Sequence, residues 1–176
     1  MYSAEERKKL LERLDDARYG LLGAVAGLSE TQSNFKPSPG AWSIANIAEH
    51  LAIAEGFVIQ RLEQMAGAPN DGNFKEPDSV LFGRVTDRTT KFQAPERVQP
   101  SGKPLAASME RLDLNKERLA EFIQSGSTDT FRQHSIPHPV FGPLDGHQWL
   151  IAVAAHCARH TQQIMETRAL PEFPRV

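Results

Sequence analysis

The chain has 176 residues, a net charge of −2, 40% hydrophobic and 24% charged residues, which is the size and composition of one globular domain with a substantial core. Positive and negative side chains are interspersed, so there is no basic footprint for nucleic acid, and no apolar run approaches the ~18 residues of a membrane span. The opening MYSAEERKKLLERL lacks the apolar centre of a secretory signal, and one cysteine, Cys157, cannot form an internal disulfide. The expectation is a single domain over residues 1–176 in the cytoplasm.

Ser3 and Glu6 have the spacing of a capping box, and the helix they open extends to about Leu28. Leu10, Leu14, Ala17, Leu21, Val25 and Leu28 keep one apolar stripe at helical spacing. Glu5, Arg7, Lys8, Glu12, Arg13 and Asp16 form its solvated side. TQSNFKPSPGAW then reads as a loop broken by Pro37, Pro39 and Gly40.

Ser43 is placed to cap a second helix, with Trp42 and Ile47 at the positions of a hydrophobic staple. Its stripe is Ile44, Ile47, Leu51, Ala54, Val58, Leu62 and Met65, and His50 lies beside that stripe. Glu49, Gln60, Glu63 and Gln64 point away from it, and Gly67 and Pro69 should end the helix.

From Gly67 to Lys103 the chain is rich in Pro, Gly, Asp and Asn, with one short helical stretch between Asp78 and Phe92. So long a connection is uncommon inside a compact domain. It is long enough to cross the ~33 Å of a 22-residue helix, so the helices on either side can run parallel, as in bundles with a crossover. The third helix runs from about Pro104 to Gln124. Leu105, Met109, Leu112, Leu119 and Ile123 face inward, and Asn115 interrupts the stripe and needs a partner. SGSTDTFRQHSIPHPVFGP follows as a loop.

The fourth helix, Leu144 to Thr167, starts with Asp145 as N-cap, Gln148 three residues on, and a Leu144–Trp149 staple. His156 and His160 stand four apart on one face, shared with Trp149 and Gln163. Residues at that spacing have Cβ atoms about 5–6 Å apart, within reach of one metal ion. His50 lies about 10 Å from the start of helix two, and His160 roughly 13 Å from the end of helix four. Antiparallel packing therefore brings His50, His156 and His160 to one level, leaving a fourth position for water or substrate as in catalytic zinc sites.

PGAWSIANIAEHLAIAE around His50, APERVQP in the connector, and HPVFGPLDGHQWLIAVAAHCARHTQQI around His156 and His160 together resemble the DinB-like superfamily, over nearly the whole chain. The resemblance implies an all-α, four-helix bundle of up-down-down-up course with the crossover between helices two and three. It also implies a divalent metal held by His50 and the H-x3-H pair His156 and His160. Zinc or nickel is the expected ion, with iron and manganese as alternatives, since imidazole suits several of these metals. Characterised relatives of this kind include transferases and isomerases that use low-molecular-weight thiols.

Beyond the ligands the candidates are Gln163, which either orients a ligand or is a helix-surface amide, Trp149, which is core and a candidate pocket wall, and His138, which is either a contact at the mouth or an exposed loop histidine. His147 reads as surface, and Cys157, about 100° around the helix from His156, as a buried thiol. The expected activity is metal-dependent transfer using a small thiol and an electrophile as partners, with homodimerisation left open. A non-catalytic metal- or ligand-binding bundle and a metal-dependent hydrolase are the alternatives. Hydrolysis needs a nearby general base, and no carboxylate is plainly placed for it.

Overall fold

The computed structural model describes residues 3–65, 77–125 and 131–175. Four long helices dominate: α1 (Ala4–Val25), α3 (Ile44–Glu63), α5 (Leu105–Gln124) and α6 (Gly146–Arg168). Two short ones, α2 (Glu30–Asn34) and α4 (Asp78–Thr86), sit in the connections. The capping signals read from the sequence are all made. Ser3 with Glu6, Ser43 with Asn46, and Asp145 with Gln148 each form a reciprocal capping box, satisfying backbone N–H groups that have no partner inside the helix.

Cross-helix contacts fix the course of the chain. Ala17 meets Cys157 and Ala24 meets Arg168, so α1 and α6 run parallel. Ala52 meets Asn115 and Glu63 meets Arg118, so α3 and α5 run parallel too. Arg7 reaches Ile123 while Asp15 pairs with Lys116, which sets α1 antiparallel to α5. The bundle is therefore up-down-down-up, and the crossover lies between α3 and α5. Among the described residues no helix is long and apolar enough to cross a membrane.

The core has two apolar clusters. One gathers Leu10, Leu62, Leu119, Ile123, Leu144 and Trp149; the other gathers Leu21, Ile44, Ile47, Leu51, Leu112 and Ile164. A fully buried side chain of this kind contributes about 1.5–3 kcal/mol. Between the clusters lies a buried polar layer that the apolar stripes do not show. Arg18 pairs with Glu55 at 2.8 Å, and Asn115 finds the partner it needs in the carbonyl oxygen of Ala52, at 2.9 Å.

Several local expectations are corrected. Helix one stops at Val25 rather than Leu28, because Gly27 takes φ +70°, a left-handed conformation that ends the helical run. Ser29 then caps α2 inside what reads as loop. The connector helix stops at Thr86 and does not reach Phe92. Gly67 and Pro69, the expected stop of helix two, lie outside the described residues.

The loop before α6 holds an antiparallel hairpin, β1 (Ser135–His138) and β2 (Gly142–Asp145). Glu49 does not point to solvent. It is buried and accepts hydrogen bonds from Ser101 Oγ at 2.6 Å and from the backbone N–H groups of Gly102 and Lys103 at 2.8 and 2.9 Å. His147 is likewise buried, 3.2 Å from the Asp78 carboxylate. Both side chains are covered by the crossover and by α4, which a helical wheel of one element cannot foresee.

Candidate metal centre

His50 on α3 and His156 and His160 on α6 converge, their ligand nitrogens all within 4.8 Å of one another. His156 Nε2 is 3.2 Å from His50 Nε2 and 3.1 Å from His160 Nε2. Donor atoms sharing one ion at about 2.0–2.1 Å lie roughly 3–3.4 Å apart. Antiparallel packing produces the convergence. Trp42, just before α3, lies against His50 and against His160, which is nearer the C-terminus of α6.

Two of the rings have their tautomer fixed from behind. His50 Nδ1 donates to the carbonyl oxygen of Val98 at 2.7 Å, and His160 Nδ1 donates to Gln163 Oε1 at 2.8 Å. A neutral imidazole has one N–H, so both Nε2 atoms present bare lone pairs. His156 Nε2 can carry one proton and donate it to only one of its two neighbours. At least one short N···N contact is then lone pair against lone pair, an arrangement that a cation between the rings relieves. The residues present fit a divalent metal.

Burial keeps these rings neutral. It lowers the pKa of His50 against the opposing effect of the Val98 bond, pushes His160 down to about 3, and holds His156 well below the ordinary histidine range. Neutral imidazole is the ligating form. His50 and His160 are buried, and His156 is the one of the three with partial exposure.

Beyond the rings themselves, the charged groups that act most on His156 and His160 are cationic, and carboxylates stand behind them. Besides the other two histidines, Arg159 and His138 act on His156, and Arg159 and Arg88 act on His160. Arg159 bonds to the carbonyl oxygens of Val85, Asp87 and Thr90, so its charge faces carbonyls, and Arg88 is paired with Glu166.

Gln163 Oε1 accepts a hydrogen bond from His160 Nδ1. Trp149 is core: its indole N–H donates to the carbonyl oxygen of Ile136 at 3.2 Å, and its ring lies 4.8 Å from that of His138. The ring that covers two of the three histidines is Trp42, centred 4.7 Å from His50 and 6.4 Å from His160. Its only sequence signal is the staple position ahead of the His50 helix. His138 ends β1, and its Nδ1 accepts from the N–H groups of Val140 and Phe141, so its proton resides on Nε2. Cys157 is buried on the α1 side, and burial pushes its thiol up to about 12. Val98, unremarked in the sequence, sits in a 3-10 turn, Glu96–Val98, inside the APERVQP motif.

An up-down-down-up bundle with three imidazoles converging between antiparallel helices defines a histidine-centred helical protein of the kind that can hold one ion. The chain belongs to the DinB superfamily, whose family model matches residues 13–164. It is 30% identical over 156 residues to the uncharacterized protein YuaE of Bacillus subtilis (strain 168), covering 88% of this chain and 94% of that one. Its fold is similar to that of TT2238, described as a four-helix bundle protein, with a TM-score of 0.61, 21% identity, and 91% and 98% of the two chains covered. It is also similar to YfiT from Bacillus subtilis, described as a probable metal-dependent hydrolase with an unusual four-helix bundle topology. There the TM-score is 0.64 at 15% identity, covering 96% and 89%.

Proposed function

We propose that His50, His156 and His160 hold one divalent metal ion, zinc or nickel first, and that the protein is a metal-dependent transferase taking a low-molecular-weight thiol and an electrophile. The observation that carries this reading is the charge of the shell: three neutral imidazoles with arginine beyond them and, among the described residues, no carboxylate in the cluster. Such a site favours an anionic guest over a neutral one. When bound, the ion supplies positive charge that converts a coordinated thiol, which titrates near 8.5 when free, to thiolate at neutral pH.

The chain's own residues do the rest. Val98 and Gln163 hold the His50 and His160 rings with Nε2 forward, and Trp42 shields their faces from water. The partial exposure of His156, where the other two rings are buried, supports entry of the thiol past that ring. Cys157 cannot serve as the nucleophile, being buried on the far side of α6 with its Sγ turned to the carbonyl oxygen of Ala17. The thiol is therefore a co-substrate.

The neighbour described as a probable hydrolase makes water activation the second reading. It requires a base near the centre. Glu49, next to His50 in the chain, already accepts three hydrogen bonds from the crossover, and the ring lone pair of His138 is taken by two backbone N–H groups. Transfer ranks first for that reason. A chromogenic electrophile assayed with a panel of small thiols tests it: metal-loaded protein should conjugate with at least one thiol, and His50→Ala should reduce the rate to background. Equal rates for the two proteins with every thiol would leave a non-catalytic binding role.

A further inference from the structure

The buried polar layer between the two apolar clusters borders a cavity of about 170 Å³. Leu14, Leu119, Val153 and Ala154 supply much of its wall, and Arg18, Glu55 and Cys157 supply its polar side. The partly exposed Lys116–Asp15 ion pair, 2.9 Å between charged atoms, borders it as well. The space lies among α1, α5 and α6 and is separate from the histidine centre.

Arg18 is 5% exposed and uses one end of its guanidinium. Nη2 donates to both oxygens of Glu55, at 3.1 and 2.8 Å, while Nη1 is buried without a hydrogen-bond partner. A buried donor left unsatisfied is costly, more so on a charged group. The other buried polar groups of the wall are engaged. Glu55 accepts from Arg18 and Asn115, and Cys157 Sγ donates to the carbonyl oxygen of Ala17 at 3.4 Å. Among the described buried side chains of the wall, the one open valence is a donor.

We infer that this cavity is a second ligand site, for a small apolar molecule carrying a single acceptor oxygen that bonds Arg18 Nη1. The size is right: an apolar cavity of ~150 Å³ holds benzene. The charge selects a neutral acceptor, because Glu55 already balances Arg18 and a second carboxylate would face the first in a poorly solvated space. The apolar wall takes the hydrocarbon body, and one hydrogen bond fixes its orientation, the pattern common to small-molecule sites.

Cyclohexanone, which combines a six-membered hydrocarbon ring with one carbonyl, is the probe, and cyclohexane its counterpart without the oxygen. Titration of the full chain followed by 1H–15N NMR should shift the amides of Arg18, Ala154 and Cys157. Cyclohexanone should bind about tenfold more tightly than cyclohexane, the difference expected from a hydrogen bond to a charged donor. Removing both members of a buried ion pair is often tolerated, so the double variant Arg18→Met/Glu55→Leu should fold, and in it the two affinities should become equal. Leu14→Phe should fill the cavity and abolish binding of both probes while keeping the wild-type spectrum elsewhere. The titrations should be the same with and without zinc. Equal affinity for the two probes in the wild type, shifts confined to the histidine end, or no shift at probe saturation would overturn the assignment.

Discussion

His50 Nδ1 and the carbonyl oxygen of Val98 lie 2.7 Å apart although 48 residues separate them in the chain. The bond makes the crossover part of the histidine centre. Glu49, the neighbour of His50, gathers Ser101, Gly102 and Lys103, so two adjacent residues of α3 grip the returning chain within and just after its APERVQP turn. The first prediction follows from that grip. Glu49→Gln removes the charge that three donors share, at a cost of about 1.5–3 kcal/mol for charged hydrogen bonds. Val98 loosens in turn, and zinc affinity should fall about tenfold, the lower end for partners beyond the ligands. Competition with a chromophoric chelator measures the second effect and urea unfolding the first. An affinity equal to wild type would separate the crossover from the centre.

Acid should destabilise the metal-free protein well above the carboxylate range. Burial holds His160 down to about 3 and His138 to about 4, against 6.5 for the free side chain. Between those values the unfolded chain binds more protons than the folded one, so stability is complete above pH ~6.5 and is lost as pH falls toward 4. Glu49 adds a loss in the same direction below its ordinary value of 4.5: burial acts to raise its pKa, but the bonds from Ser101, Gly102 and Lys103 prevail and lower it. Urea midpoints at pH 7.5, 6 and 4.5 should fall in that order. In His138→Phe the dependence should be shallower by close to one proton per molecule. A midpoint that stays level from pH 7.5 to 4.5 would show that these rings are not held neutral.

The bundle and the three histidines are legible in the sequence because periodicity and caps are local signals, and the triad needs only antiparallel packing to assemble. What escapes is set by contacts between elements. Glu49 and His147 are buried by the crossover and by α4 rather than by their own helix faces, so the wheel places them in solvent. Arg18 could have been found. It stands four residues after Leu14 and three before Leu21, within the apolar stripe, and a charge there calls for a buried partner. Glu55 gives less away, since nothing local distinguishes a carboxylate that pairs across the bundle from one that faces water. The hairpin of Ser135–His138 with Gly142–Asp145 is too short for alternation to stand out, and Pro137 and Pro143 within it read as loop.

Gly146, the first residue of α6, is fixed by a close approach. Its N–H donates to the carbonyl oxygen of Phe131 at 2.8 Å, and an added Cβ would meet the Phe131 ring at 2.8 and 2.9 Å. Alanine is otherwise the better helix residue by about 1 kcal/mol, but overpacking a buried ring costs about 1–3 kcal/mol, so the clash should win. Gly146→Ala should lower stability in urea unfolding by up to about 2 kcal/mol. In a Phe131→Leu background, where the ring is gone, the same change should be neutral or stabilising. A loss of equal size in both backgrounds would assign the effect to something other than the ring.

Gln163 offers the sharpest test of the metal reading, because it touches one ligand and only from behind. Its Oε1 accepts from His160 Nδ1 at 2.8 Å, fixing the tautomer that leaves Nε2 free to ligate. Gln163→Leu keeps much of the side chain's bulk but removes the acceptor, so His160 is free to place its proton on either nitrogen. Zinc affinity should fall about 10-fold, with helical content unchanged. Gln163→Glu should do the opposite: a carboxylate behind the ring raises the basicity of the ligating nitrogen, and affinity should meet or exceed that of the wild type. A structural role for Gln163 would weaken both variants alike, since either disturbs its packing. Opposite signs for leucine and glutamate, read by chelator competition at neutral pH, identify His160 Nε2 as a ligand. Removal of the ligand itself, in His160→Ala, should leave no stoichiometric zinc after dialysis against a chelator. If that variant retains its metal, the ion sits elsewhere and the histidine centre has another purpose.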